Sequence, residues 1–110
     1  MNDGLQAEHR RAIIGVLRAH PEIERAVLFG SRATGTFRPA SDIDICLFGE
    51  ALTLTDQARL AAQLEALSVP QRVDLVRHHA IRDEALLASI ARDGRELFRR
   101  RAARAGGTNR

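Results

Sequence analysis

The chain has 110 residues, 45% apolar, 28% charged and 4% aromatic, with a formal net charge of +3 and a pI near 10.8. One hydrophobic core suits that length; the lone Cys46 excludes a disulfide framework or a cysteine-built zinc site. No apolar run approaches the roughly 18 residues of a membrane span, and the polar, acidic start Met1–His9 is unlike a secretion signal, so a cytoplasmic protein is expected.

Leu5, Ile13, Val16 and Leu17 recur at helical spacing among charged residues, which predicts an amphipathic helix over about 5–19, ended by Pro21. Ala26-Val27-Leu28-Phe29 closed by Gly30 reads as a buried strand. Residues 30–41 (GSRATGTFRPAS) are rich in glycine and hydroxyls, hence a loop or at most one short helical turn. A second strand follows over 42–48. Thr55 and Asp56 are placed to cap a helix carrying Leu60, Leu64 and Leu67 on one face, stopped by Val69-Pro70. Val73–Val76 reads as a third strand, and Asp83 opens a last helix with Leu86, Leu87 and Ile90 inward and Gly94 as its stop. Leu97 and Phe98 are the last residues able to join a core. The order α-β-β-α-β-α predicts an α+β (α/β layered) fold, a sheet flanked by helices. A domain over 1–98 is followed by a basic tail, 99–110, read as disordered.

The pI is less informative than it looks. All 17 basic residues are arginine; residues 92–110 hold seven of them against two acids, net +5, while residues 1–91 are net −2. The tail has no interleaved aromatics on which bases could stack, so nucleic acid is not the expected partner.

The chemistry lies in Gly30-Ser31, a ten-residue gap, and Asp42-Ile43-Asp44. In a strand, Asp42 and Asp44 project from one face, about 6–7 Å apart along the chain, while Ile43, Ile45 and Leu47 anchor the other. Two like charges there repel and lose hydration unless a cation compensates, and a hard ion such as Mg²⁺ suits oxygen ligands. Asp74, set among Val73, Leu75 and Val76, can complete a three-carboxylate cluster suited to two metal ions, if its strand lies beside the second; a salt bridge to Arg72 or Arg77 is the alternative. Glycine after a strand lets the backbone approach a phosphate closely, and the Ser31 hydroxyl adds a donor. A phosphate cradle beside an aspartate cluster points to phosphoryl or nucleotidyl transfer.

With FGSRATGTFRPASDIDICLFGE (Phe29–Glu50), QRVDLV (Gln71–Val76) and IARDGRELF (Ile90–Phe98), the chain from about residue 10 to 98 resembles the minimal, single-domain members of the polymerase-β-type nucleotidyltransferase superfamily. The resemblance implies a small mixed β-sheet, palm-like and flanked by helices. It has Gly30 and Ser31 hold the β- and γ-phosphates of ATP, and Asp42, Asp44 and Asp74 bind two Mg²⁺ ions. Asp74 would also help to deprotonate the acceptor hydroxyl, and Arg32 would contact phosphate or lock the loop. It implies further that the chain is half of a hetero-oligomer with a small helical-bundle protein of the HEPN or substrate-binding type. In that arrangement it acts as an antitoxin that adenylylates a tyrosine of its partner. Thr34 stands where many relatives carry a basic residue, and Cys46 replaces a commoner aliphatic.

Several other residues have plainer readings. Ser41 fits a turn residue, Cys46 a small buried thiol, and His78 and His79 loop or partner-surface positions. Arg38 reads equally as a triphosphate contact or a loop charge. Three rival functions remain at this stage: a non-catalytic nucleotide-binding subunit, the catalytic half of a two-protein small-molecule transferase, and, ranked low for want of chain, a DxD glycosyltransferase.

Overall fold

The computed structural model describes residues 3–100. Four strands form a mixed sheet: β1 (Arg25–Phe29), β2 (Ile43–Phe48), β3 (Val73–Arg77) and β4 (Arg95–Arg99), in the spatial order β3-β2-β1-β4. β1 runs antiparallel to β2 and β4, while β2 and β3 are parallel. Helices α1 (Ala7–Arg18), α2 (Ser31–Thr34), α3 (Leu54–Glu65) and α4 (Glu84–Asp93), with a 3₁₀ turn at His78–Ala80, complete the α+β fold. No helix among the described residues is long and apolar enough to cross a membrane.

Strand alternation divides the interior into two layers. Ile43, Ile45 and Leu47 of β2 join Ile13 and Leu17 of α1 and Leu60 and Leu64 of α3 in the larger core. On the other face Val27, Cys46 and Ile90 of α4 form a smaller core, flanked by the half-buried Phe29, Phe48 and Val76. Asp44 has the parity of Cys46 and Phe48, so it belongs to the thinner layer. One strand thus supplies the main anchor and the acidic face together.

The helices start and stop for identifiable reasons. The cap of α3 is Thr53, not Thr55: its hydroxyl accepts the Asp56 amide at 3.0 Å, and Asp56 returns the favour to the Thr53 amide at 2.9 Å. Asp83 caps α4 through the Ala85 amide. Gly94 ends α4 as predicted, because a β-carbon there would stand 2.4 Å from the Ile90 carbonyl oxygen and 2.6 Å from Val27.

β4 is absent from the sequence reading and moves the edge of the folded body. Arg99 closes this strand, and Arg100 donates to the carbonyls of Ile23, Arg18 and His20 at 3.0–3.1 Å, tying the chain to the end of α1. The first two residues assigned to the basic tail therefore belong to the fold; the rest of that tail lies outside the described residues.

Candidate functional site

Gly30 connects β1 to α2 at φ 75°, a conformation that an L side chain rarely adopts. Its carbonyl accepts the Ala33 and Thr34 amides, turning the chain at once into α2. The first amides of a helix lack partners within it, so this turn presents donors suited to an anion. Ser31 is half-buried, and its hydroxyl bonds to no other described group.

Phe29 is the register partner of Asp44 on β2. That pairing brings the Asp44 carboxylate against Gly30, where an added β-carbon would lie 2.5 Å from Oδ2. In the parallel register Asp44 also faces Asp74 on β3. Burial, first, then the charges of Asp74 and of Asp42 hold the Asp44 carboxyl above its ordinary range. Asp42 is exposed and immediately precedes β2. All three sequence-predicted carboxylates are thus electrostatically coupled at one end of the sheet, beside the glycine turn.

Asp74 is 54% exposed and lies 3.8 Å from the guanidinium of Arg72, a loose surface pair. Arg77, the other suggested partner, turns instead to the Gln57 side-chain oxygen at 3.0 Å and the Leu52 carbonyl at 3.3 Å. Gln57 in turn donates to the Leu75 carbonyl at 2.9 Å, fastening β3 to α3. No sequence pattern marks Gln57, because a polar residue on a helix face reads as solvated. An open groove of about 790 Å³ runs between α3 and β3, lined by Leu54, Ala58 and Ala61 and reaching Asp74.

Arg32 does not face the turn. It is 1% exposed, with its guanidinium among the carbonyls of Asp3, Arg38, Pro39 and Ser41. Its guanidinium is engaged within the loop, the arrangement that its loop-lock reading describes. Thr34 folds its hydroxyl back toward Ser31 and Thr36. Ser41 is a turn residue, accepting the Arg38 amide at 2.8 Å, while the Arg38 side chain is exposed and forms no ion pair with a described residue. Cys46 is fully buried, and burial pushes its thiol up to about 11, despite Arg25. His78 stacks on Phe48 with ring centroids 4.1 Å apart, and His79 is exposed.

The three carboxylates supply only oxygen donors, the chemistry a Mg²⁺ ion takes. Among the described residues no group of three or more His, Cys, Asp or Glu side chains is placed to hold a metal ion. An open cluster still fits, because Mg²⁺ binds through one or two carboxylates and keeps waters and phosphate oxygens for the rest. Burial and the neighbouring charges of Asp74 and Asp42 act together on Asp44, and a bound cation would offset them.

A mixed sheet with a glycine turn set against strand carboxylates defines a nucleotidyltransferase. Residues 11–103 match the family model described as polymerase beta, nucleotidyltransferase, and the chain belongs to that family. It is 39% identical over 75 residues to a Methanocaldococcus jannaschii chain described as a "putative protein adenylyltransferase", covering 67% of this chain and 78% of the other. A crystal structure of a toxin–antitoxin with AMP-PNP contains a chain that is 30% identical, with a TM-score of 0.69 over 81% of this chain and 72% of that one. A complex of tri-AMPylated Shewanella oneidensis HEPN toxin with its MNT antitoxin aligns at 26% identity and TM-score 0.66, over 86% and 72% of the two chains.

Proposed function

We propose that the chain transfers AMP from ATP, with Mg²⁺, to a tyrosine hydroxyl of a HEPN-type toxin partner and so serves as its antitoxin. The observation that carries this reading is the position of Asp44, against Gly30 on one side and in register with Asp74 on the other. The AMP-PNP and AMPylated-toxin complexes of similar chains support the nucleotide and the acceptor class. These 110 residues contain no tyrosine, so a tyrosine acceptor lies outside them. The two proteins form a hetero-oligomer in the cytoplasm, where ATP and Mg²⁺ are supplied.

In this mechanism the amides after Gly30 and the Ser31 hydroxyl hold the terminal phosphates of ATP. Asp42, Asp44 and Asp74 hold up to two Mg²⁺ ions, which when bound offset the charge of the triphosphate and of the departing pyrophosphate. The acceptor hydroxyl approaches beside the exposed Asp74, where the α3–β3 groove leaves room for the polypeptide that carries it. Asp74 takes the hydroxyl proton. The hydroxyl oxygen forms a bond to the α-phosphorus, the bond from that phosphorus to the α–β bridging oxygen breaks, and pyrophosphate leaves. Catalysis rests on positioning and electrostatics rather than on a covalent enzyme intermediate.

Co-expression with a HEPN-type partner, followed by intact-mass analysis of that partner, tests the reading. AMP adducts are expected with the native chain and none with Asp42→Ala combined with Asp44→Ala. An unmodified partner that is nevertheless inhibited would replace transfer with simple occlusion.

A further inference from the structure

Among the described residues Arg32 is the largest fully buried side chain, and no carboxylate of those residues forms an ion pair with it. Its Nε and Nη2 donate to the Ser41 carbonyl at 3.2 and 3.0 Å, and Nη2 also reaches the carbonyls of Pro39 at 3.2 Å and Arg38 at 3.4 Å. Nη1 donates to the Asp3 carbonyl at 3.0 Å, and the Phe37 ring lies 4.9 Å from the guanidinium carbon. A buried cation is costly, and an apolar residue would fill the same space at lower cost. What the guanidinium adds is a rigid planar fork that grips several acceptors in fixed directions.

The gripped atoms have a particular place in the chain. Arg32 sits two residues after Gly30, and Ser41 shares its peptide plane with the Asp42 nitrogen. The 38–41 turn is closed internally, Ser41 amide to Arg38 carbonyl at 2.9 Å and Arg38 amide to Ser41 hydroxyl at 2.8 Å, so it moves as a unit. Gln71 holds its far side through the Pro39 carbonyl at 3.2 Å. From the other direction the Asp3–Gly4 backbone packs close to the fork, with the Asp3 carbonyl accepting from Nη1. A β-carbon on Gly4, at φ +76°, would stand 2.7 Å from Nη1 and 2.3 Å from the Phe37 ring.

We propose that Arg32 is a positioning residue: through the 38–41 turn it sets the place of Asp42 relative to the Gly30–Ser31 cradle, with the Asp3–Gly4 segment as its backing. This rests on the reading that Asp42 and the cradle serve one nucleotide–Mg²⁺ complex. Outer partners of this kind typically change metal affinity or activity by about 10–100-fold when removed.

The test uses the full chain with AMP-PNP, titrated calorimetrically with and without Mg²⁺, alongside thermal melts. Arg32→Met keeps the volume and removes the fork; Arg32→Lys keeps the charge and loses the planarity. Both are expected to bind metal-free AMP-PNP within about threefold of wild type, while the tightening produced by Mg²⁺ shrinks by about tenfold or more. Leu64→Ala, in the distant α3 core, serves as a control for lost stability and should keep the full tightening. Full tightening in both Arg32 variants, or an equal loss in Leu64→Ala, overturns the proposal. If the Arg32 variants do not fold, Gly4→Ala decides by the same criterion. Asp42→Ala separates the levels: if it too keeps full tightening, the reading of Asp42 as a metal ligand has failed, and with it this inference.

Discussion

The carboxylate oxygen Oδ2 of Asp44 occupies the space in which a β-carbon of residue 30 would stand, 2.5 Å from that point. The proposed phosphate cradle and the proposed metal ligand are therefore not neighbours joined by a flexible loop but closely apposed groups, one just after β1 and one on the adjacent β2. The Phe29–Asp44 register across β1 and β2 fixes that contact.

Gly30→Ala follows directly. The new methyl group must displace Asp44, and the backbone must hold an alanine at φ 75°. Strain of this kind costs about 1–3 kcal/mol, and a misplacement of about 1 Å at a reacting centre can cost about 10²-fold in rate. AMP transfer is expected to fall by about two orders of magnitude, while circular dichroism still shows a folded chain. Transfer within threefold of wild type would mean that the contact is not functional.

Asp44→Asn makes an opposite prediction for stability and activity. Burial and the charges of Asp74 and Asp42 raise the folded-state pKa of Asp44 above the ordinary 3.8. A raised folded value means that its contribution to stability is full below the unfolded value and is lost as pH rises through the folded one. At neutral pH the charged side chain is thus a local cost, and the amide removes it. The variant should melt a few degrees higher than wild type at pH 7, a gap that closes as pH falls below about 3.8. It should also lose transfer and the stabilisation given by Mg²⁺ with AMP-PNP. A lower melting temperature at pH 7 would show that Asp44 makes a favourable interaction.

The parts of this site that could be read in the sequence are those set by local rules. Alternation places Ile43 and Ile45 opposite Asp44, and glycine after an apolar run marks a turn, so Gly30, Asp42, Asp44 and Asp74 stand out. β4 does not, because Arg95-Glu96-Leu97-Phe98-Arg99 has weak strand propensity and a register shift opposite Ala26/Val27. Its pairing is a tertiary event, and its charges suit an edge strand. Arg32 was equally opaque. Nothing local distinguishes an arginine facing a phosphate from one spent on four backbone carbonyls; only the return of residues 38–41 and 3 decides it.

Arg100 tests where the folded body ends. Its guanidinium satisfies the carbonyls of Arg18, His20 and Ile23 at the close of α1, and its amide donates to Glu24 at 2.7 Å. Hydrogen bonds from a charged donor contribute about 1.5–3 kcal/mol when buried, less when solvent competes. Arg100→Ala should destabilise the chain by about 1–2 kcal/mol in urea titration, with transfer by the folded fraction unchanged. An unaltered midpoint would return Arg100 to the tail.

Asp3 carries a further pH dependence and acts with the opposite sign to Asp44. Burial alone would raise its carboxyl, but the Leu5 amide at 3.0 Å and the ion pair with Arg10 outweigh it and hold the group below the ordinary 3.8. A depressed folded value contributes stability that is present above the unfolded pKa and is lost as pH falls through the folded one. Asp3→Asn should therefore cost about 1–2 kcal/mol at pH 7, since the Arg10 partner is left without its acceptor. The difference from wild type should shrink below about pH 3.8, where the native carboxyl is itself being protonated. Because Asp3 also supplies the carbonyl that backs Arg32, the variant reports on whether the side chain anchors that backbone. If it does, Asp3→Asn loses part of the Mg²⁺-dependent tightening of AMP-PNP at temperatures well below its melt; unchanged tightening would confine Asp3 to stability.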